Sequence, residues 1–387
     1  MILRILKYLF LTVMGLIIIS LIFLFAPPLF RRFAVYPEIE LQVKALNKLR
    51  KEPASPTSLN LYRGVIHGQS YSSHDSEGTI SDLIPAAKLN DIDFMFLTDH
   101  PRGDIDTLPR DYNGRFDNVL VVPGSGNTRY QGMEIYNIHA DTKDETLIPQ
   151  IANFIINGRK YPQWSLREMF DEQTAIIARW DSLNTVRKIV GFSAVDAHEN
   201  QNIRARYIKD GRIEWIGSNA TVIDTTRVAF WNSWLLHPPY KSGWIFRLMT
   251  DTYREGFKYI TNYVYADSLS VESLSDNIKK GHLYSAFRSF GDAGGFMFNC
   301  TDQKDGMYGM MGDSVSLGRI KAFYAVSPLP GQFRLIRDGK TVNSSSFNTY
   351  EYKWEDLIEK GAYRIEIHII IREKDLPWLY SNPIYVY

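Results

Sequence analysis

The chain has 387 residues, of which 45% are hydrophobic and 22% are charged, and its formal net charge is +1. This composition is typical of an ordinary globular protein with about two or three domains, and it excludes a protein held on nucleic acid by bulk positive charge. The single cysteine, Cys300, excludes an intrachain disulfide and a cysteine-rich zinc site. Any metal ion must therefore be bound by His, Asp or Glu side chains.

The first predicted element is an uncharged apolar stretch from Tyr8 to Phe30. As an α-helix it would be about 34 Å long, which is enough to cross the hydrocarbon core of a bilayer. A cleaved signal peptide would have a shorter apolar core and a small-residue cleavage site, so we predict an uncleaved anchor over residues 1–30. Basic residues flank both ends of the stretch, so they do not set its orientation. We expect the body to be extracytoplasmic, because a lone N-terminal anchor usually exports the chain on its C-terminal side.

The rest of the chain divides into three predicted parts. Residues 31–58 end in the polar, Pro- and Ser-containing sequence RKEPASPTS, which predicts a linker. From 59 to 289, short apolar runs alternate with helical stretches, and this alternation favours an α/β domain with parallel strands. From 290 to 387, successive β runs separated by turn signals such as RDGK predict a small antiparallel, β-sandwich-like domain.

Residues 227–249 form an aromatic and basic segment inside the predicted α/β domain. Its ring-bearing side chains include Phe230, Trp231, Trp234 and Trp244. We favour a buried core segment. The alternative is an interfacial or lid segment close to the bilayer.

Three apolar runs of the α/β domain end in imidazole or carboxylate side chains. These ends carry His67, Asp99 with His100, and Asp196 with His198. One such end is usually an ordinary polar strand terminus, but the carboxyl ends of parallel strands meet on one face of a domain. Three of them together therefore predict a His/Asp metal cluster suited to Zn, Mn or Fe. Such an ion would polarise an anionic substrate oxygen and lower the pKa of a bound water.

The motifs around these ends resemble a known family. VIHGQSYSSHDSEGT and the following LTDH resemble the first two motifs of the PHP superfamily, the polymerase and histidinol phosphatase domain, and DAHEN resembles its closing motif. The resemblance implies a distorted (β/α)7 barrel, here preceded by a transmembrane helix and followed by the β domain. It also implies hydrolysis of phosphoesters or related bonds. The metal ligands that it implies are His67, Asp75, His100, Asp196 and His198.

The family pattern is incomplete in this chain. Gln69 stands where the family has a second histidine, Gly126 stands where it usually has a glutamate, and its Ala-His-Pro motif is not visible. A neutral amide is a poor replacement for imidazole as a Zn or Mn ligand. We therefore expect one divalent ion, and at most two.

Further side chains are candidates for the surroundings of the metal. Glu134 and Tyr136 would share a face of a strand, and we predict Glu134 and Asp99 to position or deprotonate the attacking water. The Glu134 carboxylate fits a purely structural hydrogen bond equally well. His74 and His139 are candidates to orient the ligands. The candidates for substrate binding are Arg102, Arg129 and Gln69, since a guanidinium group grips phosphate through paired hydrogen bonds.

Two functions fit these observations. The first is a membrane-anchored metal-dependent hydrolase, phosphoesterase-like, that acts on a small-molecule or lipid-linked anionic substrate. The second is a degenerate PHP pseudoenzyme that serves as a membrane-tethered binding or scaffolding module.

Overall fold

The fold is described here from a computed structural model. The residues that it describes are 2–70, 72–73, 76, 78–99, 113–125, 132–138, 147–168, 172–199, 202–217, 222–239, 243–249 and 252–387. The predicted site residues that lie outside these ranges are His74, Asp75, His100, Arg102, Arg129 and His139.

The described residues form a mixed set of helices and strands. The helices are α1 (Ile2–Phe30), α2 (Tyr36–Lys48), α3 (Ile80–Leu89), α4 (Leu147–Asn157), α5 (Pro162–Arg167), α6 (Thr174–Asn184), α7 (Phe230–Ser233), α8 (Tyr253–Tyr259) and α9 (Val271–Lys280). The strands up to residue 266 are β1 (Asn60–Gly68), β2 (Phe94–Asp99), β3 (Gly114–Phe116), β4 (Val119–Ser125), β5 (Gly132–Asn137), β6 (Val190–Ala194), β7 (Asn202–Tyr207), β8 (Ile213–Ile216), β9 (Val222–Thr226), β10 (Trp244–Met249) and β11 (Thr261–Ala266). The later strands are β12 (Leu283–Ala286), β13 (Met297–Thr301), β14 (Met307–Met310), β15 (Ser314–Val315), β16 (Ala322–Arg337), β17 (Lys340–Ser344), β18 (Thr349–Trp354), β19 (Gly361–Ile371), β20 (Lys374–Ser381) and β21 (Ile384–Val386).

The N-terminal helix is long and apolar enough to cross a membrane. Its most apolar window has a mean hydropathy of 2.9, and none of that window is buried against the body. The chain remains helical beyond Phe30, first as a π-helical turn over Arg31–Val35 and then as α2. The predicted linker is therefore helical as far as Lys48.

Helix α2 is attached to the body of the protein by side-chain contacts. Glu38 Oε2 accepts a hydrogen bond from Arg372 Nε at 2.7 Å, and Asn47 Nδ2 donates to the carbonyl oxygen of Phe290 at 2.8 Å. The apolar helix is thus joined to the body by a packed helix, and its end is held in a fixed place.

Five strands make a parallel layer in the order β4-β2-β1-β6-β5. The parallel ladder between β2 and β4 runs from Phe94 to Asp99, and β1 and β6 meet at the single pair Ile66 and Ala194. Near-continuous apolar runs such as FMFLT form these strands because both faces of a parallel layer are covered. All five carboxyl ends lie at the same edge of the layer.

The main sheet branches at β1. The first half of β1 pairs with the antiparallel strand β11, and its second half meets β6. Two asparagine side chains bridge the opening between the branches. Asn262 accepts from the Ser193 amide nitrogen and donates to its carbonyl oxygen, and Asn382 does the same for Gly191, all at 2.7–2.9 Å. Each side-chain amide thus takes the place of a backbone peptide in a neighbouring strand.

The C-terminal part is mostly antiparallel, as predicted, and it continues the main sheet. Pairing of β12 with β20 carries the sheet across residue 289 into β19 and β16. The long strand β16 also pairs with β13 and β18 through its first half. A buried ion pair joins the two parts, since Arg364 donates to both carboxylate oxygens of Asp181 at 2.6 and 2.7 Å.

The α/β fold class is confirmed, but a (β/α)7 barrel is not what the described residues form. The large sheet is mixed and is not closed. The sheet instead includes the antiparallel strand β11, which pairs with the first half of β1.

A second sheet was not predicted. Strands β7–β10 form an antiparallel sheet in the order β10-β7-β8-β9, inserted between β6 and α8.

The core interpretation of the aromatic segment is wrong for two of its side chains, because Phe230 is 90% exposed and Trp234 is 71% exposed.

We predict that the bridge made by Asn382 is needed for stability. Asn382→Ala would leave the amide and carbonyl of Gly191 and the carbonyl of Leu283 without this buried partner. The free energy of unfolding should fall by about 2–4 kcal/mol in urea titrations of the detergent-solubilised chain. The matched control is Asn60→Ala, which removes one exposed hydrogen bond and should change stability little. Equal losses in the two variants would contradict the bridging role.

Candidate functional site

The candidate site lies where β1 and β6 end. His67 is near the end of β1, and Asp196 and His198 follow β6. The Asp196 amide nitrogen donates to the His67 carbonyl oxygen at 3.1 Å, so the two strand ends are held side by side. Of the residues predicted to converge, the structure therefore brings together His67, Asp196 and His198.

The backbone at this junction is strained. His67 has a φ of 69° and Asp196 a φ of 50°. Left-handed conformations are uncommon for residues other than glycine, and each costs about 1–3 kcal/mol unless its surroundings enforce it. Strain at two adjoining strand ends is typical of functional sites, and this favours a functional interpretation of the cluster.

The His67 imidazole is held between two carboxylates. Its Nδ1 lies 2.5 Å from Glu134 Oε1 and its Nε2 lies 2.9 Å from Asp196 Oδ1. Burial by itself would lower the pKa of His67, but hydrogen bonds and charge from Asp196 and Glu134 outweigh burial and raise that pKa to about 10. Burial would raise the pKa of Asp196, but its bond to the positive His67 lowers it overall. In the absence of a metal ion, both ring nitrogens of His67 are therefore donors.

Asn137 is a site residue that sequence reasoning missed. Its Nδ2 donates to Glu134 Oε2 at 2.8 Å and to Asp196 Oδ2 at 3.1 Å, so one amide positions both carboxylates. We expected Tyr136 to share a face with Glu134, and this is wrong because the register of β5 shifts between these two residues. The Tyr136 ring is buried, and its centroid lies 5.1 Å from the centroid of the Phe287 ring. No local pattern in GMEIYN marks such a shift.

The side chain of Gln69 points its nitrogen toward the cluster. Its Oε1 accepts from Ser73 Oγ at 2.9 Å, and its Nε2 lies 3.4 Å from Asp196 Oδ1 and 3.5 Å from His67 Nε2. In this orientation Gln69 offers a hydrogen-bond donor to the site. That suits contact with an anionic group better than ligation of a cation.

The carboxylate of Asp99 binds the loop that follows β1. Asp99 is buried at the end of β2, where its Oδ1 accepts from the Ser70 amide nitrogen at 2.5 Å and its Oδ2 from Ser70 Oγ at 2.9 Å. Asp99 thus reaches the predicted edge of the sheet. These contacts fit a role in holding the loop better than a role as a free base.

Tyr253 is a second residue that sequence reasoning missed. Its hydroxyl donates to the Gln69 carbonyl oxygen at 2.5 Å and lies 3.4 Å from Ser76 Oγ, which itself donates to the carbonyl oxygen of His198 at 2.8 Å. Thr252 caps the start of α8 by accepting from the Glu255 amide nitrogen. The T-x-x-E spacing of this cap is a signal that could have indicated the helix start, although not the contact.

Within the described ranges no set of three or more His, Cys, Asp or Glu side chains forms a ready-made metal site. Asp196 Oδ1 lies 2.9 Å from His67 Nε2 and 3.7 Å from His198 Nε2. Ligands that share one ion at about 2.0–2.1 Å lie about 3.0–3.4 Å from one another, and the two distances here fall on either side of that range. Glu134 contacts Nδ1 of His67, so Nε2 faces Asp196, and metal-binding histidines usually have a carboxylate on the other ring nitrogen in this way.

Comparison of the chain with protein-family models, with curated proteins and with solved structures gave no match. The PHP resemblance therefore stays a prediction, and function has to be argued from the site itself.

We predict that His67 makes stability depend on alkaline pH. Because its folded-state pKa of about 10 lies above the ordinary value of 6.5, the stabilisation is complete below pH 6.5 and is lost as the pH rises toward 10. In EDTA, the difference in unfolding free energy between wild type and His67→Asn should shrink over this range. Asparagine is chosen as the replacement because it tolerates the left-handed backbone conformation of position 67.

The control for this experiment is His237→Asn, which changes an exposed histidine and should give no such trend. A difference between wild type and His67→Asn that stays constant from pH 6.5 to 10 would show that His67 is not held as a cation.

Proposed function

We propose that the protein is a membrane-anchored, metal-dependent hydrolase of the PHP type that acts on phosphoesters. The observation that supports this most is the meeting of His67, Asp196 and His198 at two adjacent parallel strand ends, with Glu134 orienting the first imidazole. The body comes after α1 in the chain and is expected to be extracytoplasmic, since a lone N-terminal anchor usually exports the domain attached to it.

In this proposal His67 Nε2, Asp196 Oδ1 and His198 Nε2 would hold one Mn, Zn or Fe ion. Asp75 and His100 remain predicted ligands outside the described residues. A bound ion of this kind supplies a Lewis acid and lowers the pKa of a coordinated water to near neutrality. Two imidazoles and a carboxylate are a donor set that suits an ion of this class.

The remaining residues orient the ligands and the substrate. Glu134 fixes the tautomer and angle of the His67 ring, and Asn137 holds Glu134 and Asp196 in place. The Gln69 amide donates toward an anionic oxygen of the substrate. Asp99 acts by holding the loop after β1, since both of its oxygens accept from Ser70. Arg102 and Arg129 remain predicted phosphate contacts on a small-molecule or lipid-linked ester.

A second candidate function is a membrane-tethered pseudoenzyme that binds a partner without catalysis. The observation that favours it is the closed ion-pair network, in which His67 satisfies both Glu134 and Asp196 with no metal ion needed. The amide at Gln69 in place of a ligand points the same way.

We predict that the full chain in detergent binds about one equivalent of Mn²⁺ or Zn²⁺ at neutral pH, as measured by elemental analysis after desalting. His198→Ala should lose the ion, and Glu134→Gln should weaken metal affinity about 10–100-fold because the orienting carboxylate is neutralised. His237→Ala is the matched control, since it removes an exposed imidazole and should leave the stoichiometry unchanged.

Phosphoesterase activity separates the two candidate functions. Turnover of a phosphate ester that requires the metal and disappears in His198→Ala supports the hydrolase. Only trace metal in the wild type, together with background turnover under every divalent ion, would overturn the hydrolase and leave the pseudoenzyme.

A further inference from the structure

The inserted sheet, defined as residues 202–249, exposes an unusual amount of apolar surface. Of the sixteen exposed large apolar side chains that the described part of the chain has after residue 60, seven lie in this sheet. They are Ile203, Tyr207, Val222, Ile223, Val228, Phe230 and Trp234. Five of the seven fall between residues 222 and 234, along the edge strand β9 and the short helix α7. An apolar strand edge left in water promotes aggregation, so such an edge is normally covered.

The inserted sheet is also strongly basic. Residues 202–249 contain seven Lys and Arg against three Asp and Glu, which is a net charge of +4, whereas the whole chain carries +1. Two of these arginines, Arg204 and Arg206, stack over the ring of Trp244, with guanidinium carbons 4.7 and 5.7 Å from its centroid, and Arg206 also pairs with Glu214 at 2.7 Å. Aromatic rings and cations together suit the headgroup region of an anionic bilayer.

The inserted sheet joins the body next to Glu199 and Tyr253, and we call this junction its root. The root lies close to the end of the apolar helix. At this root the Tyr253 amide nitrogen donates to Glu199 Oε1, and the adjoining Glu255 accepts from Gln163 at the start of α5. At the other end of α5, about 8 Å away, Glu168 accepts from Arg31 at 3.1 Å.

The last turn of α1 is itself fixed to the body. Asn157 at the end of α4 donates to the Pro28 carbonyl oxygen at 2.9 Å, and Arg32 donates to the Ile156 carbonyl oxygen. Ile155 on the same helix is exposed. The place where α1 would leave the bilayer and the root of the inserted sheet are therefore joined through α5.

We propose that the inserted sheet binds the surface of the lipid bilayer that α1 enters, with the apolar edge from Val222 to Trp234 in the headgroup region and the arginines on anionic phosphates. Phe230 and Trp234 are residue types that insert into membrane interfaces, because both rings are apolar and the tryptophan ring also carries a polar N–H. Because Tyr253 joins the root of this sheet to the Gln69 loop, bilayer contact holds the candidate site beside the membrane. This inference does not depend on whether the site is catalytic.

The single cysteine makes a direct test practical. Cys300 is buried, and burial raises the pKa of its thiol to about 12, so it stays unreactive at neutral pH. Phe230→Cys therefore gives one accessible site for an environment-sensitive fluorophore. Leu357→Cys gives the matched control, because Leu357 is 76% exposed. Leu357 precedes the start of β19, and Arg372, which contacts α2, follows its end. The length of β19 therefore places Leu357 about 35 Å from this contact with α2.

The labelled full-length proteins are reconstituted in nanodiscs that contain phosphatidylglycerol. The Phe230→Cys label should shift its emission to the blue and be quenched by spin-labelled phospholipid, and replacement of phosphatidylglycerol by phosphatidylcholine should weaken both effects. The Leu357→Cys label should keep a water-like emission. A water-like, unquenched label at position 230 would overturn the proposal. A blue shift without quenching by the spin-labelled phospholipid would also overturn it, since it would indicate contact with protein and not with lipid.

Discussion

The candidate site depends on one junction, at which the parallel strands β1 and β6 touch. They share the single pair Ile66 and Ala194, and the Asp196 amide nitrogen then donates to the His67 carbonyl oxygen. So short a ladder contributes little stability by itself. The asparagine bridges to β6 from Asn262 and Asn382 hold the strand in place, so the geometry of the site is set by side chains distant from it in the chain.

Electrostatics at this junction stabilise the protein and limit its chemistry at the same time. A cationic His67 between Glu134 and Asp196 offsets the cost of burying the Asp196 carboxylate beside strained backbone. If the proposed ion binds, it would have to displace the proton that His67 shares with Asp196, so metal binding would be coupled to proton release. The contact between Glu134 and Nδ1 would orient the ring in the same way with a proton or with the proposed ion on Nε2.

The sequence allowed part of this account to be predicted, for physical reasons that differ between residues. Apolar runs ending in His67, Asp196 and His198 indicate parallel strands, and parallel strands bring their ends together. Asn137 and Asn382 act through side-chain geometry that has no local pattern, and the register shift in β5 leaves no mark in its sequence. The aromatic composition of the segment with Phe230 and Trp234 favours a core, because composition alone does not distinguish buried rings from exposed ones.

The most direct test is a crystal structure of the full chain soaked in Mn²⁺, with anomalous scattering used to locate the ion. We predict one anomalous peak within about 2.0–2.3 Å of His67 Nε2, Asp196 Oδ1 and His198 Nε2, with Glu134 still on His67 Nδ1. An absent peak with His67 Nε2 still bonded to Asp196, or imidazoles of His67 and His198 that face unrelated parts of the protein, would contradict the account.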